Sequence, residues 1–388
     1  MSLTDHFILH YLQQFDAYPF TITIHNEIHQ IGEGEPRFHV TLKKIPDKKE
    51  LMESTSLALG EAYMKGDLLI EGDLYETLDL FLSQIGLFTK DQHALKKLLF
   101  PSKSKKHQLE EISHHYDIGN DFYSKWLDDT MSYSCAYFKS DQDTLGMAQR
   151  QKVDYILKKL YLKKDMTLLD IGCGWGFLLL QAAKQYDVKG VGITLSKEQL
   201  KKFEAAIKTE GLEGRVSAKL LDYRDIRSLN QQFDRIVSVG MLEHVGRENY
   251  EEFFKSLNSV LKDDGLCLLH YISACEEHSG DPFLKKYIFP GGVIPSLREI
   301  ISLCGTFHYS VLDVENLRRH YQKTLLCWID GFLAHKEEFE QTYGKEFVRM
   351  WDLYLTSCAA AFHNGIVELH QILLAKKPTD LLPMTRWY

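Results

Sequence analysis

The sequence predicts an α/β protein: a doubly wound parallel sheet, preceded by a small α+β unit. Three observations predict it. From about residue 111 onward, short apolar runs alternate with amphipathic segments, as when strands are joined by crossover helices. One run ends in Leu168-Leu169-Asp170-Ile171-Gly172-Cys173-Gly174-Trp175-Gly176, a buried strand entering a glycine turn that opens a helix. Before residue 95 the pattern differs, with alternating strands followed by helical stretches.

In the first 95 residues, Phe20-Thr21-Ile22-Thr23-Ile24-His25 and Phe38-His39-Val40-Thr41-Leu42 alternate apolar and polar side chains, as half-buried strands do. Gly32, Gly34 and Pro36 between them mark a turn. Leu57–Tyr63 and Leu74–Leu87 carry apolar residues at helical spacing. Next, Lys96, Lys97, Lys103, Lys105, Lys106 and His107 gather around Pro101 and two serines, a composition suited to a solvated linker. The functional alternative is a patch for anionic lipid, where each cation near the surface contributes about 1 kcal/mol. The expected organisation is a unit at 1–95, a basic linker at 96–110 and a larger unit at 111–388.

In that larger unit, strands are predicted at Thr167–Ile171, Val188–Ile193, Val216–Leu221, Phe233–Val239 and Leu266–Ile272. Helices are predicted at Phe177–Tyr186, Lys197–Glu210 and Tyr250–Leu261. Leu325–Lys376 reads as a mostly helical covering layer. Ligands of such sheets bind beyond the carboxyl ends of the strands. That singles out Gly172–Gly176, Thr194–Gln199, Asp222-Tyr223-Arg224, Gly240–His244 and His270–Ile272.

Bulk properties exclude several function classes. No apolar run approaches the roughly 20 residues of a membrane helix, and the first residues lack a signal-peptide pattern. The net charge of −8 gives no support for nucleic acid as a partner. Seven scattered cysteines fit reduced thiols in a cytoplasm better than a disulfide framework. Cys275 and His278 are three apart, but no second pair completes a metal site.

The glycine turn is informative by its spacing. A dinucleotide fingerprint is G-x-G-x-x-G followed by a strand ending in an acid that holds a ribose. Here the third glycine comes one residue early, and the next strand ends in Thr194-Leu195-Ser196 without an acid. Both departures point from a nicotinamide cofactor toward S-adenosylmethionine.

Further motifs surround the sheet: Tyr133-Ser134-Cys135-Ala136-Tyr137-Phe138, Glu243-His244-Val245-Gly246, Tyr287-Ile288-Phe289-Pro290-Gly291-Gly292 and His320-Tyr321-Gln322-Lys323-Thr324-Leu325. With the glycine turn, they resemble the cyclopropane fatty acid synthases and the related mycolic acid cyclopropane synthases. The resemblance spans 111–388, and the amino-terminal unit resembles the extra domain of the phospholipid-acting branch. It implies a Rossmann-like class I methyltransferase domain as the catalytic unit. It also implies methylene transfer from S-adenosylmethionine to a cis double bond of an unsaturated phospholipid acyl chain. Such chemistry passes through a carbocation, which needs a dry pocket and tolerates aromatic faces. Tyr116, Phe138, Tyr271, Tyr287, Phe289 and Tyr321 are candidates for those faces, with core packing as the plain alternative.

The resemblance further implies a bound bicarbonate base held by Cys135, Glu243, His270, the Ile272 backbone and Tyr321. Cys358 matches a family position once assigned to catalysis, while its apolar helical setting suits packing. For the donor, the resemblance assigns Tyr133 and Ser134 to the methionine end, with Asp170 and the turn Gly172, Cys173, Gly174, Trp175 and Gly176 behind it. Thr194, Leu195 and Gln199 flank ribose and adenine. Tyr223 and Arg224 correspond to an aromatic–acid pair near adenine in the mycolic branch, from which Arg224 departs. A homodimer, attached reversibly to the inner face of the membrane, is implied as well. Two rival readings remain: a lipid methyltransferase giving branched or hydroxylated chains, and a noncatalytic lipid-binding protein.

Overall fold

A computed structural model describes residues 3–84 apart from 14, 16 and 17, residues 118–380 apart from 278, and residues 382–386. The basic linker at 96–110 and Tyr116 therefore lie outside the described residues. The chain forms two compact units that are not contiguous in sequence. The first takes the described residues of Met1–Leu98 with Asp281–Ile288 and Leu325–Ile366; the second takes those of Leu99–Gly280, Phe289–Thr324 and Val367–Tyr388. The segment 111–388, expected as one unit, is thus shared between them.

The first unit holds a four-stranded sheet in the order β2-β1-β3-β4, with β1 Phe20–Ile24, β2 Glu27–Ile31, β3 His39–Leu42 and β4 Leu68–Glu71. Strand β1 buries alternate residues, as its periodicity predicts. Strand β2 is mostly exposed and carries little apolar signal; its pairing follows from the two-residue turn His25-Asn26, both at positive φ, a hairpin geometry. Helices Thr55–Lys65 and Leu74–Gln84 pack against the helix Lys345–His363. Asp79 on the second of them pairs with His363 at 2.6 Å and accepts from Asn364 at 2.8 Å. These contacts explain why the aromatic carboxy-terminal helices cluster with this unit.

The second unit is built on a seven-stranded sheet in the order β10-β11-β9-β8-β5-β6-β7. Its strands are β5 Thr167–Ile171, β6 Lys189–Thr194, β7 Val216–Leu220, β8 Phe233–Val239, β9 Leu261–Ser273, β10 Ser310–Asn316 and β11 Glu368–Ala375. Strands β5 to β9 are parallel. The chain winds from β5 out to β7, then returns to place β8 on the other side of β5, a switch point that opens a crevice. Helices Phe177–Tyr186, Lys197–Thr209 and Tyr250–Val260 lie where the periodicity puts them. The last element differs. Glu368–Ala375 is a strand, antiparallel to both β9 and β10, not part of a helical layer. It is buried almost throughout, and a short run apolar on both faces carries no period that separates strand from helix.

Gly176 opens the helix after β5 at φ 87°, and a Cβ there would meet the Phe203 ring at 2.0 Å. We expect Gly176→Ala to destabilise the fold by about 3 kcal/mol or more, from overpacking and a left-handed backbone combined. Urea unfolding checks this; a loss under about 1 kcal/mol would show that Phe203 yields freely.

Candidate active site

The ends of β5, β6, β7 and β8 border one cavity. It is lined by Tyr133, Ser134, Asp170, Gly172, Cys173, Gly174, Trp175, Gly176, Thr194, Leu195, Gln199, Tyr223 and Arg224, the residues expected around a donor. The floor is the turn after β5, where Gly172 N and Cys173 N both donate to Ile193 O at 3.0 Å. Gly174 sits at φ 54°, and apart from its chain neighbours no atom of the described residues lies within 4 Å of where its Cβ would be, so a ligand can approach the main chain closely. At one end, Thr194 Oγ1 donates to Gln199 Oε1 at 2.8 Å and accepts from Ser196 N at 3.1 Å. Arg224 forks onto the buried Asp222 at 2.8 and 2.6 Å and lies over the Tyr223 ring. That pairing leaves Arg224 holding the loop rather than standing in for an acid.

The other end is aromatic and polar. Tyr133 packs on Tyr123 and Trp126 at 5.4 and 5.5 Å between centroids, and Trp175 Nε1 donates to Asn120 at 2.7 Å. Gln149 Nε2 donates to the carbonyl of Ser134 at 2.8 Å, and Lys152 Nζ donates to Ser134 Oγ at 2.8 Å. Both are buried on the helix Leu145–Lys159. Sequence reasoning passed over them. The signal was present, since a polar residue among Ala148, Val153 and Ile156 occupies an apolar face.

Beside this cavity lies a second polar cluster. Glu243 follows β8 between Met241 and His244, which both line the cavity. Its Oε1 accepts from Ile272 N at 2.6 Å, so the Ile272 amide holds the carboxyl in place. Among the described residues its Oε2 is buried without a partner. His270 on β9 faces Gln371 on β11, whose Nε2 donates to His270 Nδ1 at 3.0 Å. Burial holds His270 well below its usual range, helped by Lys152 and Lys159. The neutral ring therefore carries its proton on Nε2, which is buried and has no partner. Gln371 is a further residue that sequence reasoning missed, because only strand pairing brings it to His270.

Cys135 and Tyr321 are tied to the β9–β11 pairing through the backbone. Cys135 Sγ lies 3.2 Å from Ala136 O and 4.0 Å from Leu317 O. Leu317 N donates to Leu369 O at 2.8 Å, and Leu369 pairs with Ile272. Tyr321 N donates back to Leu317 O at 3.1 Å. The motif around Tyr321 is a latch: His320 Nδ1 accepts from Phe138 N at 3.0 Å, and Thr324 Oγ1 accepts from Ala136 N at 3.0 Å. Burial pushes the Cys135 thiol far up, so it is a thiol and a weak donor rather than a nucleophile.

The remaining candidates separate. Cys358 lies in the first unit, where burial pushes its thiol up to about 12, and it is not among the groups gathered in the second. Tyr287 also belongs to the first unit, where its hydroxyl donates to Glu61 at 3.0 Å. Tyr271 points to the opposite face of β9 from His270 and Ile272, into a core cluster with Phe254, Cys304 and Tyr309. Phe138 carries Lys323 Nζ 4.7 Å from its ring centroid. Phe289 meets His244 edge-on at 5.9 Å, beside the cavity.

Comparison with known proteins gives a consistent family. A family profile described as mycolic acid cyclopropane synthetase matches residues 103–372, and a domain of unknown function matches 7–93. The chain is 42% identical over 349 residues to the cyclopropane-fatty-acyl-phospholipid synthase of Escherichia coli K12, covering 87% of this chain and 88% of that protein. It is 40% identical over 340 residues to a probable fatty acid methyltransferase of Pseudomonas putida, covering 84% and 85%. The mycolic acid cyclopropane synthase CmaA1, solved with SAH and CTAB, is similar with TM-score 0.64 at 34% identity, over 69% of this chain and 97% of that one.

Burial pushes the Glu243 carboxyl from 4.5 up to about 7, against the pull of the Ile272 N–H. A raised acid contributes stability that is fully present below pH 4.5 and lost as pH rises through about 7. Gln keeps the neutral shape at every pH. Glu243→Gln should therefore flatten the stability profile over that window and exceed the wild type at pH 8 by on the order of 2 kcal/mol. Thermal unfolding across pH checks this, and an unchanged slope would contradict it.

Proposed function

The chain belongs to the mycolic acid cyclopropane synthetase family, and from that premise we propose that it cyclopropanates unsaturated phospholipid acyl chains. Its second unit has the Rossmann-like fold of class I methyltransferases, and S-adenosylmethionine is its methyl donor. When bound, the donor supplies the carbon that becomes the ring methylene. One observation carries the finer reading: two buried polar atoms without partners, Glu243 Oε2 and His270 Nε2, sit beside the donor cavity. One can accept a hydrogen bond and the other can donate one.

That pair suits bicarbonate, which presents both a hydroxyl and anionic oxygens. When bound, bicarbonate supplies a base for the proton that leaves the new methyl carbon. His270 Nε2–H would donate to the anion and Glu243 Oε2 would accept its hydroxyl, so two negative groups need not repel. Cys135 and Tyr321 would close the set, with Ile272 N acting through Glu243. The chemistry requires that water be kept from trapping the cation as an alcohol.

The Pseudomonas relative is named a probable fatty acid methyltransferase, and a second reading is methyl transfer without ring closure, giving a branched chain. Incubation with labelled donor and unsaturated phospholipid vesicles separates the two by acyl-chain mass analysis. A gain of one methylene that resists hydrogenation is expected; a gain that takes up hydrogen would mean a branched alkene. Glu243→Gln should lower turnover about 100-fold or more while donor binding persists, and full activity would remove Glu243 from the chemistry.

A substrate within a bilayer also calls for reversible attachment to the membrane surface, in a homodimer by family likeness. Among the described residues no helix is long and apolar enough to cross a membrane, and the basic segment 96–110 is the proposed contact. Co-sedimentation with anionic vesicles should fall as salt rises; binding indifferent to salt would refute an electrostatic contact.

A further inference from the structure

The donor cavity contains one cation and one acid that do not serve each other. Lys152 Nζ lines it, buried at 3% exposure, with one hydrogen bond to Ser134 Oγ. An ammonium has three donors, so two remain. Asp170 lines the same cavity, also 3% exposed, and its Oδ1 has no partner among the described residues. Neither makes an ion pair among the described residues, although each lies in the other's field. Charges withdrawn from water without a counterion are strongly destabilising. Burial pulls Lys152 down to about 8 and pushes Asp170 up to about 7, the response of groups awaiting partners.

A simple anion would satisfy only the lysine, and a simple cation only the aspartate. A ligand with both signs on neighbouring atoms satisfies both, as the α-carboxylate and α-ammonium of an amino acid do. Resting on the donor reading above, we infer that Lys152, steered by Ser134, binds the carboxylate of the donor's amino-acid end while Asp170 takes its ammonium. The direction of binding is the one the resemblance implies. The amino-acid end lies against Ser134, Lys152 and Asp170, and the nucleoside end against Thr194, Gln199 and Tyr223. Lys152 is then a binding residue of the donor site, not a packing curiosity of its helix.

Calorimetric titration of the full chain tests this with two ligands: S-adenosylhomocysteine and its decarboxylated form, which keeps the amine and loses the carboxylate. The wild type should prefer the carboxylate-bearing ligand by about 10- to 100-fold, the range for a charged hydrogen bond. In Lys152→Met that preference should vanish, with affinity for the decarboxylated ligand unchanged or improved. Equal loss of both ligands in the variant would assign Lys152 a structural role and overturn the inference, as would a preference that survives. Should the variant not fold, wild-type protein that binds both ligands equally still overturns it. Wild type binding neither ligand would instead sink the donor reading itself.

Discussion

The turn that leaves β5 hangs from its neighbour by two bonds to one carbonyl, Gly172 N and Cys173 N to Ile193 O. Parallel pairing of β5 with β6 sets the height of that carbonyl, and the two amides bend the chain away from the strand direction. Gly176 then starts the next helix against Phe203 without room for a methyl group. Everything the cavity does depends on this bend. It clears main-chain space at Gly174, sets Asp170 at the rim and leaves Trp175 within reach of Asn120. A sheet of the same strands with a straight exit would have a covered end and no crevice.

Around that crevice the protein keeps polar atoms buried and unpaired, in two groups of different character. Lys152 and Asp170 are of opposite type, a donor and an acceptor that a ligand of both signs can satisfy together. Burial raises the Glu243 carboxyl and lowers the His270 ring, and each has one atom fixed by the scaffold and one left over. For Glu243 the fixing partner is the Ile272 amide, and for His270 it is Gln371. Fixing one atom aims the other, which is what a preorganised site requires. The arrangement lowers stability above neutral pH, a familiar tension between a stable core and an active one.

The His320–Thr324 latch shows how a motif can serve chemistry indirectly. His320 and Thr324 lie one helical turn apart, so they share a face, and both accept amides from the segment that carries Cys135. The hydroxyl of Thr324 also donates to His320 O at 2.7 Å. Neither residue lines the donor cavity. They hold the Cys135 segment and the helix of Tyr321 together, which is why they appear together as a pattern in the chain.

Local pattern alone was enough for Thr167–Ile171, Phe177–Tyr186 and Phe233–Val239, because apolar period and glycine turns act over a few residues. It also pointed to the cavity-lining residues after β5, β6 and β7, which follow strands whose ends are legible, whereas Tyr133 and Ser134 rested on the resemblance. Glu368–Ala375, apolar on both faces, became a strand only because β9 and β10 flank it. Gln371 reached His270 through that same pairing, across about a hundred residues of chain. Lys152 looked like one more helical lysine until folding buried it beside Asp170. The grouping of Leu325–Ile366 with the amino-terminal unit likewise rests on helix contacts far apart in sequence. Period and turn chemistry belong to neighbours along the chain, whereas pairing, burial and counterions are properties of neighbours in space.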